Sequence, residues 1–176
     1  MTATVYIGLG SNEGDREGNL LCAVEALGRI DAVAVLRRSA VYESAPVGPP
    51  QPRYLNAVVE LDCALPPQRL LVILKHIEGE LGRRPGGPKW GPRPIDLDVL
   101  LWGEAVVADA NLQVPHLELH CRRFALAPLA ELCPALRHPV LGQTVAQMLQ
   151  KASPQDVVRW SSEHWKHSTP DPDARE

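Results

Sequence analysis

Aromatic side chains are scarce in this chain: one Phe, three Tyr and four Trp stand among 176 residues. An RNA-binding sheet needs stacked aromatics and a basic face, and the strand-like runs VYIGLG and VVELDCAL supply neither. Charge of one sign is lacking too, since 18 Lys and Arg against 21 Asp and Glu leave a net charge of -3. That balance argues against a nucleic-acid partner, so any anion site must be local. No apolar run approaches the ~18 residues of a membrane span, and MTATVYIGLG lacks the basic stretch that opens a secretory leader. A cytoplasmic protein without membrane partners is expected. Cys22, Cys63, Cys121 and Cys133 show no CxxC spacing, and together with His116, His120 and His138 they match no common zinc finger. Reduced thiols are expected. GxxxxGK[ST] is missing altogether, and GLGSNEG fails a dinucleotide fingerprint because Glu13 stands where the third glycine belongs.

What is present begins with 45% hydrophobic residues, enough for one globular domain. The alternation in TVYIGLG predicts a strand, and Asp15 is placed to cap a helix from Arg16 to about Ile30, with Leu20, Val24 and Leu27 at helical spacing. VAVLRRSAVYES and YLNAVVELDCAL read as strands on either side of the proline-rich loop APVGPPQPR. After Pro66 and Pro67, the spacing of Leu70, Leu74, Ile77 and Leu81 predicts a second helix. The loop GRRPGGPKWGPRP then leads to a further strand. The order β, α, β, β, α, β is that of a ferredoxin-like α+β sandwich, one antiparallel sheet with its helices on one face. RRFALAPLAELCP and GQTVAQMLQKA predict two more helices, and VVRW an edge strand, as a C-terminal elaboration. The domain is expected over residues 1–161, and the polar stretch 162–176 is expected to be a frayed tail.

The strand in KWGPRPIDLDVLLWG carries two aspartates. Strand alternation puts Asp96 and Asp98 on one face and Ile95, Leu97, Val99 and Leu101 on the other. Two adjacent carboxylates repel or share a proton unless a cation lies between them. Arg83, Arg84, Lys89 and Arg93 precede the pair and His116, Arg122 and Arg123 follow it. Ion pairing on a solvated face would explain such a cluster, but Mg2+ held by one or two carboxylates, with arginines on phosphate oxygens, explains carboxylates and cations together. Tyr54, Asn56, Trp90 and Phe124 border loops, as core filling or as the walls of a site for a flat heterocycle.

At these residues the chain resembles the 6-hydroxymethyl-7,8-dihydropterin pyrophosphokinase family. KWGPRPIDLDVLLWG is similar to that family's signature, and YIGLGSNEGD, VYESAPVGPPQPRYLNAVV, IEGELGR and VPHLELHCRRFALAPLAEL follow in the family's order from about Thr4 to Leu132. The resemblance implies transfer of pyrophosphate from ATP to 6-hydroxymethyl-7,8-dihydropterin, with release of AMP, in folate biosynthesis. It implies that Asp96 and Asp98 hold two Mg2+ ions, and that Arg83 and Arg93 serve catalysis with them. Lys75, Glu78, Arg83, Trp90, Arg93, Val99, His116 and Arg122 match nucleotide-site positions. Ser44, Val47, Tyr54, Asn56, Trp90, Asp96 and Phe124 match the pterin site, with Tyr54 and Phe124 on the two faces of the ring. A ferredoxin-like fold is implied as well, and a monomer is expected. The chain departs from the pattern where Pro85 holds the position of a second Arg, which leaves Arg84 without an implied role. The competing readings are a non-catalytic ferredoxin-like module binding nucleotide or RNA, and a nucleotide-sugar transferase with a DxD motif, for which the chain is short.

Overall fold

The computed structural model describes residues 1–167. In strand β1 (Ala3–Ser11) the alternation turns Val5, Ile7 and Leu9 to one side and Tyr6, Gly8 and Gly10 to the other. Helix α1 (Arg16–Gly28) begins where Asp15 accepts the Gly18 N–H at 3.0 Å, the cap that the sequence predicts. Leu20, Ala23, Val24 and Leu27 form its buried stripe. The run VAVLRRSAVYES, expected as one strand, is divided into β2 (Val33–Arg38) and β3 (Tyr42–Ser44). Ser39 makes the break: its hydroxyl accepts the Val58 N–H and donates to the carbonyl of Ala40. There follow β4 (Tyr54–Cys63), helix α2 (Pro67–Glu80) with proline at its first position, and β5 (Asp96–Trp102).

Strand β1 lies between β4 and β5 and is antiparallel to both, while β2 and β3 pair one after the other with the far edge of β4. With β2 and β3 counted as one interrupted strand, this is the expected order and a ferredoxin-like fold. Helices α1 and α2 cover one face over Val5, Ile7, Leu9, Ala57, Val59, Leu97 and Val99. The chain then forms a small hairpin, β6 (Val107–Ala108) and β7 (Gln113–Val114), which the sequence does not announce. Helices α3 (Arg123–Leu132) and α4 (Val145–Lys151) pack on the opposite face against Tyr6, Val58 and Leu100. Helices on a single face therefore describe only the α1–α2 half. Strand β8 (Val157–Arg159) pairs with β3 at the expected edge.

Two further expectations are corrected. The β1–β5 register slips between Tyr6 and Ile7, so that Val99 faces Ile7 and Leu101 faces Tyr6, with Leu100 the extra residue. A bulge reverses the sense of alternation beyond it, so Leu101 joins Leu100 under α3 instead of sharing a side with Leu97 and Val99. The frayed tail does not begin at Ser162 either. Trp165 is 3% exposed and donates its indole N–H to the carbonyl of Ser39 at 2.7 Å, and Glu17 receives the main-chain N–H groups of His164 and Trp165. The polarity of 162–167 conceals this single anchor, and residues 168–176 lie outside the described residues.

Candidate active site

Strand β5 is an edge strand whose cleft-side residues are carboxylates, and its neighbour contributes almost nothing to the same face. Asp96 is paired with Gly10 and Asp98 with Gly8. A Cβ at Gly8 would meet Leu100 at 3.3 Å, and one at Gly10 would stand 3.5 Å from Asn56 Oδ1. The two glycines thus form a flat floor in the sheet, inside the strand that TVYIGLG predicts. Over this floor lies a cleft of about 560 Å³. Sequence alternation flags Gly8 and Gly10 as sharing one face, the one clue to them available before the structure.

The two aspartates differ. Asp96 is gripped by Arg83 Nη1 at 2.6 Å on Oδ1 and by Arg93 Nη1 at 3.2 Å on Oδ2. Asp98, recessed yet still reached by solvent, has no hydrogen-bond donor among the described residues. Its pKa is raised to about 7, by burial first and then by the charge of Asp96, against the pull of Lys75 and Arg122. No three His, Cys, Asp or Glu side chains are grouped for a metal among the described residues, and the carboxylates that line the cleft on β5 are this pair. Two hard oxygen donors with room beside them fit Mg2+, which keeps waters and phosphate oxygens as its other ligands. They do not fit zinc. His138, considered for zinc from its spacing, instead accepts the N–H groups of Val140 and Leu141 at its Nδ1.

Behind the carboxylates stands Glu78 on α2, 2% exposed, which accepts the Leu97 N–H at 2.8 Å and pairs with Arg83 at 2.8 Å and Lys75 at 3.1 Å. Glu78 does not line the cleft; it holds two cations that do. Burial works against the charge of Arg83, but Asp96 and Glu78 more than offset it and hold its pKa above the usual value. On the far side, His116 Nδ1 accepts the Glu118 N–H at 3.2 Å, which leaves Nε2 as the N–H donor of a neutral ring. Burial and the nearby Arg122 lower the His116 pKa and favour that neutral form. Arg122 pairs with Glu118 and lies 5.8 Å from the centroid of the Phe124 ring.

The cleft is also lined by Ser44, Val47, Tyr54, Asn56, Trp90 and Phe124. Pairing of β3 with β4 sets Ser44 beside Tyr54, and Asn56 Nδ2 donates to Ser44 Oγ at 2.8 Å and to the carbonyl of Tyr42 at 3.4 Å. With both amide hydrogens engaged, Oδ1 of Asn56 is left as an acceptor toward the cleft. Trp90 sits on the exposed loop 84–90 with φ of 68°. Gln51 receives Asn12 Nδ2 at 2.9 Å and donates to the Trp90 carbonyl at 2.6 Å, while Asn12 Oδ1 accepts the Arg93 N–H at 2.9 Å. Asn12 therefore ties the end of β1 to both loops that rim the cleft.

The fold brings Lys75, Arg83, Arg93, Asp96, Asp98, His116 and Arg122 into one cleft with Ser44, Val47, Tyr54, Asn56, Trp90 and Phe124. Val99 is not among them. Its side chain is 5% exposed in the core under α1 and α2, because it falls on the other side of the strand from Asp98. Lys89, Glu118 and Gln155 line the cleft without having been assigned a role from the sequence. Lys89 was visible as part of the cationic cluster. Nothing local marks Gln155, which arrives through the pairing of β8 with β3.

Residues 6–134 match the profile of the 7,8-dihydro-6-hydroxymethylpterin-pyrophosphokinase (HPPK) family. Over 155 residues the chain is 43% identical to a 2-amino-4-hydroxy-6-hydroxymethyldihydropteridine pyrophosphokinase of Methylorubrum extorquens, covering 88% of this chain and 96% of that one. A Bacillus subtilis protein of the same name is 46% identical over 134 residues, 76% of this chain and 80% of its own. Among solved structures, a Plasmodium falciparum HPPK-DHPS chain superposes with a TM-score of 0.68 at 14% identity, a likeness of fold that spans 86% of this chain and 45% of that longer one.

Proposed function

The chain belongs to the 7,8-dihydro-6-hydroxymethylpterin-pyrophosphokinase family and is a diphosphotransferase of folate biosynthesis, and from that premise we propose how its cleft performs the transfer. The substrates are Mg2+-bound ATP and 6-hydroxymethyl-7,8-dihydropterin, and the products are AMP and the pterin diphosphate. One observation carries the reading: the donor-free carboxylate of Asp98, beside an Asp96 held by two arginines, shares a single cleft with Tyr54, Asn56 and Phe124.

At the pterin end, the ring lies between Tyr54 and Phe124, and Asn56 Oδ1 accepts from a ring-edge N–H. Val47 and Trp90 close the rim. At the phosphate end, Arg83, Arg93, Arg122 and Lys75 receive the triphosphate, and His116 Nε2–H adds a neutral donor. Val99 contributes through its main chain on the free edge of β5, not through its buried side chain. Asp96 and Asp98 would hold two Mg2+ ions, which when bound neutralise phosphate charge and polarise the β-phosphorus. The pterin hydroxymethyl oxygen forms the new bond to that phosphorus as the bond to the bridging oxygen of AMP breaks, and the hydroxyl proton leaves to solvent. This chain's part is positioning and electrostatics: Glu78 and Asp96 fix the direction of Arg83 before the substrates arrive, so its charge needs little reorganisation as the transfer proceeds. The reading includes a cytoplasmic monomer, and the small net charge with no basic footprint supports the absence of a nucleic-acid partner; among the described residues no helix is long and apolar enough to cross a membrane.

The nucleotide product tests the reading. With ATP, Mg2+ and 6-hydroxymethyl-7,8-dihydropterin, chromatography should show AMP formed in proportion to pterin consumed, whereas ADP would overturn it.

A further inference from the structure

We propose that Gln155 is a positioning residue that holds the two walls of the pterin pocket at a fixed separation through hydrogen bonds to Phe124 and Ala45. The proposal rests on the pterin reading above and concerns a residue outside the stretch 6–134 that matches the family profile.

Helix α3 starts at Arg123 behind Arg122, which supplies no side-chain cap, so the first N–H groups of the helix lack partners of their own. One of them belongs to Phe124, and Gln155 Oε1 accepts it at 3.2 Å. The Nε2 of the same side chain donates to the carbonyl of Ala45 at 3.4 Å. Ala45 is held from its other peptide group as well, since its N–H donates to the carbonyl of Asp156 at 3.0 Å. The Asp156 carboxylate in turn accepts Arg53 Nη1 at 2.7 Å, and Arg53 Nε reaches Glu43 at 3.1 Å. One step further on, Val157 pairs with Ser44. Residues 155–157 thus bridge the point where the loop 45–53 leaves β3 to the point where α3 presents Phe124.

The chemistry of the side chain is specific to this bridge. Phe124 N–H needs an acceptor and the Ala45 carbonyl needs a donor, and a primary amide offers both from one planar group. Glutamate of the same shape would satisfy Phe124 but set a carboxylate oxygen against the carbonyl of Ala45. Alanine would satisfy neither. Because Gln155 acts on the backbone of the two walls, its loss should be felt mainly by the ligand between them, whereas Lys75, Arg83, Arg93 and the two aspartates, none of which it touches, keep their hold on the phosphates.

Gln155→Ala and Gln155→Glu test this against the full-length wild type. Pterin and Mg2+–ATP-analogue affinities are measured by calorimetry, together with kcat, both KM values and the Tm. Gln155→Ala should raise the pterin Kd and KM by about tenfold, the scale of one or two lost hydrogen bonds, with the nucleotide Kd within about twofold of wild type. Gln155→Glu should be worse than alanine. An unchanged pterin affinity in Gln155→Ala would overturn the proposal, as would parallel losses for both substrates that follow a drop in Tm. A glutamate variant that behaves as wild type would also overturn it, by reducing the role to shape. A wild type that binds Mg2+–ATP analogue but no pterin defeats the pterin reading and this proposal with it; wild-type pterin binding with an unaffected alanine variant defeats the proposal alone.

Discussion

Asp96 and Asp98 are two residues apart and identical in chemistry, yet their surroundings assign them different consequences. Replacing Asp98 with Asn should lower kcat/KM by about a thousandfold in a steady-state assay, the several kcal/mol that a hard anionic ligand supplies to a metal-assisted transfer. Asp96→Asn should do the same and also weaken nucleotide binding, because Arg83 and Arg93 lose the carboxylate that orients them. The pH dependence separates the pair further. The folded-state pKa of Asp98 is raised from the usual carboxylate value to about 7, so the group contributes stability to the unliganded protein that is full below about pH 4 and is lost as the pH rises through about 7. Without Mg2+, Asp98→Asn should therefore raise the Tm at pH 8 and leave it nearly unchanged at pH 4, and scanning calorimetry at the two pH values checks the sign. Phe124→Ala should weaken pterin binding by about 1 to 3 kcal/mol with nucleotide affinity preserved, as lost stacking and burial require. Calorimetric titration with each ligand measures both. The Asp pair was legible because alternation needs no tertiary knowledge. The unlike roles of Glu78 and Val99, one behind the cleft and one beneath the sheet, were not, since burial and partners belong to the folded state.

At the level of elements, strong periodicity was readable and interruptions were not. Helices α1 and α2 follow from their caps, their prolines and the spacing of Leu20, Val24, Leu70 and Leu74. The division of β2 from β3 depends on a hydroxyl of Ser39 that meets Val58 19 residues away, and the bulge in β5 depends on how β1 seats against it. Neither leaves a local signature. Two glycines and two prolines suit the loop 84–90 to the role of a lid, which we propose for it, while the hydrogen bond from Gln51 to its Trp90 carbonyl and the positive φ of Trp90 are features that composition does not announce. Deleting Gly86 and Gly87 should slow the chemical step by at least about tenfold, since Trp90 and Lys89 could no longer close over bound substrates and exclude water. Binding of Mg2+–ATP alone should persist. Rapid-quench single turnovers beside equilibrium binding would measure the two effects separately.

Across the whole molecule, the ferredoxin-like core supplies most of the cleft, Asp96 and Asp98 together with Tyr54 and Asn56, and the elements added after it bring His116, Arg122, Phe124 and Gln155 to its lining. Beyond β8, the chain is fastened by Trp165 near the end of the described residues. Trp165→Ala should cost about 3 to 5 kcal/mol in urea unfolding through the cavity it leaves beside Ser39 and Arg38, while Trp165→Phe should lose only about 1 kcal/mol with the indole hydrogen bond. A frayed tail would make both substitutions silent. The pairing of β8 with β3 has a consequence in time. Strand β3 is made early and waits for a partner more than a hundred residues later, and 57 residues separate Trp102 at the end of β5 from Arg159 at the end of β8. At the roughly 5 to 20 residues per second of protein synthesis, that interval is about 3 to 11 seconds. For those seconds the nascent chain carries the aspartates, Tyr54 and Asn56 without the β8 pairing and the Gln155 bridge that set Phe124 against Ala45, so on the proposed reading the site of the second substrate is completed last.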